Sequence, residues 1–254
     1  MKANISISGA LCAAALVAGI STGCKTVRGP DGEKALWSTI DSSPATKKDL
    51  RDPAKLNLAY ARWQEQLGQL GDARHAYQQA LEDNPKSVEA ILGIARLDQL
   101  AGREQQAEAG VQKALLLKPN DPFVLHSAGQ FYASKSQWQK SGELISRAVM
   151  AEPENVQYRF DFAVALARAG RPDQAMPHFV KSVGEAEAHF NVAYILYQQG
   201  QIGPAEQHLV HSLNKRPDLK QAQNLLAELR SMQHDRSALA GSAPVAGGVS
   251  PASL

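Results

Sequence analysis

Small and apolar side chains recur through the middle of the chain at a regular interval. Two residue types mark a period of 34 residues: the prolines Pro85, Pro119 and Pro153, and the alanines Ala80, Ala114 and Ala148. A period of this length accommodates two helices and the turns that join them. The pattern therefore predicts a stack of helical hairpins between residues 54 and 219.

Side-chain size is fixed at four positions of each period. Position 8 is small, in turn Ala61, Ala95, Gly129, Ala163 and Ala193, and so is position 20, with Ala73, Ala107, Ser141, Ala175 and Ala205. Position 24 is larger, with Tyr77, Val111, Ile145, Phe179 and Leu209, and position 27 is small again, with Ala80, Ala114, Ala148, Ser182 and Ser212. Two helices approach closely only where side chains are small, so positions 8 and 20 mark their crossing.

This arrangement resembles the tetratricopeptide repeat, in which each unit is a pair of antiparallel helices. The resemblance implies an all-α fold, a right-handed α-solenoid of about five units at 54–87, 88–121, 122–155, 156–185 and 186–219. The fourth unit is four residues short, and the proline that the repeat places shortly after Ser182 is missing, so a shortened turn is expected before the fifth unit. Leu225, Leu226 and Leu229 share one face of residues 220–232, which predicts a capping helix.

Local signals for helix ends agree with this period. Asp52-Pro53 and Asp121-Pro122 are typical of an N-cap followed by a first-turn proline. Glycine at position 15 is expected to end the first helix of a unit because it adopts positive φ without a steric cost; it occurs at Gly68, Gly102, Gly170 and Gly200.

The N-terminus has the pattern of an export signal. Lys2 precedes an apolar stretch from Ile5 to Ile20, the length of a signal-peptide core and short for a membrane span. Small residues then lead to Cys24, which resembles a bacterial lipobox, although Ser21 stands where that motif prefers leucine. The interpretation is a lipoprotein-type signal at 1–23 and an acylated Cys24; the alternative is an ordinary signal cleaved near Gly23. Residues 25–254 contain no cysteine, so Cys24 has no disulfide partner there.

Segments with few large apolar residues flank the repeats on both sides. Residues 24–53 are polar and rich in turn formers, which predicts a flexible tether. Residues 233–254 are dominated by alanine, glycine, serine and proline, which predicts a disordered tail. Together with the signal, these segments indicate an exported bacterial lipoprotein, anchored in a membrane and facing the periplasm or the cell exterior.

Charge and candidate chemistry argue against nucleic acid binding and catalysis. Residues 54–219 carry 17 basic and 18 acidic side chains, a net charge of −1, so nothing there attracts phosphate. His208 and His211 lie three residues apart on one helix, and His178 shares the repeat position of His208, but no third metal ligand is evident. These are interpreted as surface histidines. We expect no metal, no cofactor and no enzymatic activity.

The resemblance implies a concave groove lined by positions 5, 9 and 12 of the first helices. Position 5 holds Leu58, Leu92, His126, Phe160 and Phe190, position 9 holds Arg62, Arg96, Gln130, Val164 and Tyr194, and position 12 of the fifth unit is Tyr197. The groove is expected to be basic at its N-terminal end and aromatic at its C-terminal end, suited to a peptide or protein segment. The alternative is that Phe160 and Phe190 bury against neighbouring helices while the arginines are only solvated.

The leading hypothesis is a non-enzymatic scaffold. The protein resembles small tetratricopeptide lipoproteins that assist the assembly of an envelope complex such as a pilus, adherence or secretion system. The alternative is an accessory subunit that presents a substrate to a separate enzyme or regulates it.

Overall fold

The computed structural model describes the backbone of residues 52–241 and the side chains of residues 52–233. This part of the chain forms eleven helices and no strand: α1 (Pro53–Gln66), α2 (Leu70–Asp83), α3 (Val88–Leu100), α4 (Glu104–Leu117), α5 (Pro122–Ser134), α6 (Trp138–Ala151), α7 (Val156–Arg168), α8 (Pro172–Val183), α9 (Glu185–Gln198), α10 (Ile202–Lys215) and α11 (Lys220–Gly241). The predicted signal, Cys24 and the tether up to residue 51 lie outside the described residues.

Consecutive helices pair, and the pairs stack in chain order. The first ten helices form five hairpins, and each hairpin also packs against the next. The core therefore runs along the stack as a series of apolar clusters, and α11 packs against the last pair. The predicted all-α solenoid of five units with a C-terminal capping helix is confirmed.

Polar side chains cap the helices that open the first four units. Each accepts a hydrogen bond from an N–H of the first turn: Asp52 from Ala54, Ser87 from Ala90, Asp121 from Val124 and Asn155 from Tyr158. At the other end, a residue with positive φ lies two positions after the last residue of each first helix; it is Ser136 in the third unit and glycine in the other four. The next amide bonds back five residues, as when Gln69 N–H donates to the Gln64 carbonyl at 2.9 Å.

The small residues lie where the paired helices cross. At position 8 the alanines are at most 3% exposed, and the large residues at position 24 are at most 1% exposed. Gly129 shows how tight the crossing is, because a Cβ there would overlap Cγ1 of Ile145. The predicted packing roles of these positions are confirmed.

The junction between the fourth and fifth units is compressed. Four residues separate the second helix of a unit from the next helix elsewhere, as at 84–87 and 118–121, but only Gly184 separates α8 from α9. Gly184 has φ +90° and ψ 168°, a conformation that other residues rarely adopt. The chain thus reverses within one residue.

The capping helix is longer than predicted. α11 continues to Gly241, so the predicted end of the helix at 232, and the start of a disordered tail at 233, are corrected. Residues 233–240 contain no glycine or proline, and alanine and leucine favour helix there. Gly241 and Pro244 supply the first breakers.

We expect Gly129→Ala to lower the free energy of unfolding by about 1–3 kcal/mol, because the added methyl overlaps Ile145. Gly142→Ala is the matched control, since it lies inside α6 and its Cβ would meet nothing nearer than 3.8 Å. Better helix propensity should make that variant neutral or up to about 1 kcal/mol more stable. Urea denaturation followed by circular dichroism measures both, and equal midpoints would contradict the tight crossing.

Candidate functional site

The first helices of successive units contact one another along one face of the stack. Side chains of α1 and α3, of α5 and α7, and of α9 and α11 are hydrogen-bonded across this face. We call it the concave groove. The eleven predicted groove residues lie on its helices, but the exposure of their side chains to solvent differs.

The N-terminal end of the groove is closed by its own contacts. Leu58 and Leu92 are buried, which corrects the prediction that they line an open surface. The Arg96 guanidinium donates two hydrogen bonds to the Glu65 carboxylate, and Tyr77 Oη donates to the same group at 3.0 Å. Burial raises the pKa of Tyr77. Arg96 is therefore neutralised within the fold, and the predicted basic end is wrong for this residue.

A buried carboxylate organises the middle of the groove. Asp161 Oδ2 lies 2.7 Å from His126 Nε2 and accepts bonds from Gln130 at 3.0 Å and Gln157 at 2.9 Å. The His126 ring also lies against Tyr158, with ring centroids 4.4 Å apart. His126, Gln130 and Asp161 are almost fully buried, so His126 and Gln130 support the groove wall instead of offering an open surface.

The C-terminal end retains accessible aromatic surface. Phe160, Val164, Phe190, Tyr194 and Tyr197 are all half-buried against the C-terminal core. Phe160 packs edge-on against Phe179, and the Phe190 and Tyr194 rings are stacked with centroids 6.3 Å apart. Tyr197 Oη donates to Glu228 of α11 at 2.7 Å, and this bond raises the pKa of Tyr197. These side chains are held in place while one side of each stays accessible.

Two residues of the middle cluster were missed by the sequence reasoning. Asp161 and Gln157 are at positions 6 and 2 of their unit, next to the positions assigned to the groove. The available signal was an acidic residue within the apolar stretch from Phe160 to Leu166, because a carboxylate on a buried helix face requires partners.

With this geometry established, comparison with known proteins identifies the repeat. Residues 64–128 match the family model of the tetratricopeptide repeat. The chain contains tetratricopeptide repeats. Solved structures agree on the fold: YrrB, described as a TPR protein with an unusual peptide-binding site, has a TM-score of 0.51 at 20% identity and covers 70% of this chain and 94% of its own. PilF of Pseudomonas aeruginosa has a TM-score of 0.55 at 20% identity, covering 77% and 90%.

Two curated relatives match parts of this tetratricopeptide repeat protein. Cellulose synthase operon protein C of Pseudomonas fluorescens (strain SBW25) is 27% identical over 152 residues, which is 54% of this chain and 12% of that protein. The TPR repeat-containing thioredoxin TTL4 of Arabidopsis thaliana is 30% identical over 117 residues, 44% of this chain and 17% of that protein. The chain thus spans less than a fifth of the length of either relative.

A third histidine, His189, joins the pair His208 and His211 in the fifth repeat unit, and the sequence did not indicate it. His189 Nδ1 of α9 lies 3.0 Å from His208 Nδ1 of α10, and its ring stacks on His211 with centroids 5.2 Å apart. Burial and the neighbouring imidazoles lower the pKa of His208. His178 packs instead against Phe162. Across the side chains of residues 52–233, no group of three histidine, cysteine, aspartate or glutamate side chains is arranged to hold a metal ion.

The repeat protein has no membrane-spanning candidate in its described part. None of the helices between residues 52 and 241 combines the length and the apolar character that a span requires.

We expect Asp161→Ala to lower the free energy of unfolding by about 1–3 kcal/mol, because it leaves His126 and Gln130 buried without their acceptor. Glu154→Ala removes an exposed carboxylate from the turn before α7 and serves as the control, with a change below about 0.5 kcal/mol. Urea midpoints decide between the two results. A neutral Asp161→Ala would show that the cluster is solvated.

Proposed function

We propose that this tetratricopeptide repeat protein is a non-enzymatic scaffold that binds a peptide or protein segment at the C-terminal end of its concave groove. The observation that supports the proposal is the row of half-buried aromatic and apolar side chains on α7 and α9. Elsewhere the groove is occupied by its own contacts, with Arg96 on Glu65 and His126 on Asp161.

The aromatic end suits an apolar anchor of a partner. Aromatic side chains dominate binding energy where they are rigid and partly desolvated before the partner arrives. Phe160 is held by Phe179 and Tyr197 by Glu228, so little ordering cost remains on binding. The partner is therefore expected to contribute a large apolar side chain in an extended or helical segment.

The location proposed for the scaffold is a bacterial membrane surface facing the periplasm or the cell exterior. Its support is in the sequence: a signal-like segment ending at Cys24, with no later cysteine. The partner would be a component of an envelope complex such as a pilus, adherence or secretion system. The fold shared with PilF is compatible with this role.

A second candidate is an accessory subunit of an enzyme system. The match to a cellulose synthase operon protein favours it, because that relative is named for the operon of an enzyme. Co-purification from a membrane fraction separates the candidates: an envelope assembly protein supports the scaffold, and a catalytic subunit supports the accessory role.

We expect Phe190→Ala and Tyr194→Ala each to weaken partner binding by about 2 kcal/mol or more, roughly 30-fold in Kd. The partner is first captured with a photoreactive residue at position 194 in the native envelope, and Kd is then measured by calorimetry. Val210→Ala is the control, because it removes exposed apolar surface from α10 outside the groove. Aromatic variants that bind like the parent would place the interface outside the groove.

We expect the mature protein to begin at an acylated Cys24 and Cys24→Ala to move it from the membrane fraction to the soluble fraction. One acyl chain anchors a protein marginally, and two or more anchor it stably. Mass spectrometry of the N-terminal peptide and fractionation measure this, with Cys12→Ala as the matched control. An unmodified Cys24 in the mature protein would contradict the anchor.

A further inference from the structure

The outer face of α1 carries an apolar stripe. Leu56, Tyr60, Trp63 and Leu67 are spaced by four, three and four residues, so they share one side of the helix. They are 47%, 45%, 54% and 55% exposed. Among the described side chains, each of the other helices exposes at most one large apolar residue to this degree. We call these four residues the α1 stripe.

The equivalent positions in the other units show how this face of a first helix normally packs. Leu56, Tyr60 and Trp63 occupy positions 3, 7 and 10, which are Val124, Ala128 and Phe131 in the third unit. Those three residues are at most 1% exposed and belong to one core cluster with residues of α4, the second helix of the preceding unit. The same positions are buried or half-buried in the second, fourth and fifth units. Positions 3, 7 and 10 are therefore the docking face for a preceding element.

The two ends of the solenoid differ in whether their terminal apolar face is covered. At the C-terminal end α11 covers the last pair, and its own Leu225 and Leu229 are buried in the C-terminal core. Terminal repeats need such a cover because an uncovered docking face leaves apolar surface in water. The α1 stripe is the corresponding face at the N-terminal end.

We propose that residues 33–41 of the same chain dock on the α1 stripe as an N-terminal cap. Leu36, Trp37 and Ile40 are the only large apolar residues between positions 28 and 49, and a helical turn would place them on one side. Residues 42–52 connect this segment to α1 and span up to about 36 Å when extended, longer than the roughly 21 Å of α1 itself.

The composition of the segment fits a cap shorter than a full second helix. Gly29-Pro30-Asp31-Gly32 precedes it and Pro44 follows it, so a helix in this region is restricted to about three turns. Such a segment covers Leu56, Tyr60 and Trp63 without completing a sixth repeat. It also leaves the C-terminal end of the groove untouched.

The cap has a consequence that rests on the proposed membrane anchor. With residues 33–41 docked, only residues 25–32 remain between Cys24 and the solenoid, which is at most about 26 Å of chain. Without docking, residues 25–52 reach up to about 90 Å. The cap would hold the N-terminal end of the array close to the membrane and direct the aromatic end away from it.

A double-mutant cycle on the whole chain tests the docking. We expect Trp37→Ala and Trp63→Ala each to lower Tm by at least about 2–4 °C, and the double variant to lower it no further than the stronger single variant. Ser38→Ala, on the opposite side of the segment, and Leu116→Ala, at an exposed leucine of α4, are the controls and should leave Tm unchanged. Circular dichroism provides the readout without relying on the substituted tryptophans.

Each other outcome overturns the proposal. If the α1 stripe is uncovered, Trp63→Ala leaves Tm unchanged or raises it, because alanine favours helix more than tryptophan does. If a second copy covers the stripe, light scattering shows a dimer that Trp63→Ala dissociates and Trp37→Ala does not. The cycle gives the same answer in a Cys24→Ala background, so failure of the anchor or of groove binding is distinguishable from failure of the cap.

Discussion

Only glycine, alanine or serine occupies the two positions where the helices of each unit cross. This constraint sets the distance between the helices, since even one methyl group added at Gly129 would overlap Ile145. A fixed crossing fixes the angle at which the pair meets the next pair, and with it the direction of the stack. The large residues at position 24, such as Tyr77 and Phe179, then fill the space that the close crossing leaves toward the following unit. The concave face is a product of this geometry, repeated five times.

The crossing also decides where binding energy is available. Stacking brings consecutive first helices close enough for their polar side chains to pair. The Glu65 carboxylate accepts hydrogen bonds from Arg96. The Asp161 carboxylate pairs with His126 and Gln130 of the preceding unit and with Gln157 of its own helix. A partner that competed for these groups would have to replace hydrogen bonds already made in a poorly hydrated setting, with little net gain. The aromatic side chains of α7 and α9 carry no such cost. Their accessible sides lose only water when a partner covers them.

The sequence predicted what depends on local spacing and missed what depends on contacts between units. The period, the crossing residues and the helix-ending glycines each require a particular residue type at one repeat position, so all of them were predictable. Ser136, which adopts positive φ where the other units have glycine, was not, because its position alone does not identify the conformation. The Arg96–Glu65 pair spans 31 residues and two helices, and His189 meets His208 across a hairpin. Such partners are visible only once the register of the stack is known. The groove residues were therefore placed on the right helices, but the pairing that neutralises Arg96 was missed.

The solenoid presents apolar surface in two places, and burial separates their roles. On the α1 stripe the side chains are about half exposed, and three of them, Leu56, Tyr60 and Trp63, lie where every other described unit is covered by a neighbour, so covering them completes a packing pattern that the fold already uses. On the groove the aromatic residues are already packed against the core, and covering them adds contacts that no other unit makes. The first surface fits a segment of the same chain, because the geometry it requires is that of the repeat. The second fits a separate partner, because its arrangement of Phe160, Phe190 and Tyr194 has no counterpart in the first three units, where the same positions hold leucine, arginine, histidine or glutamine.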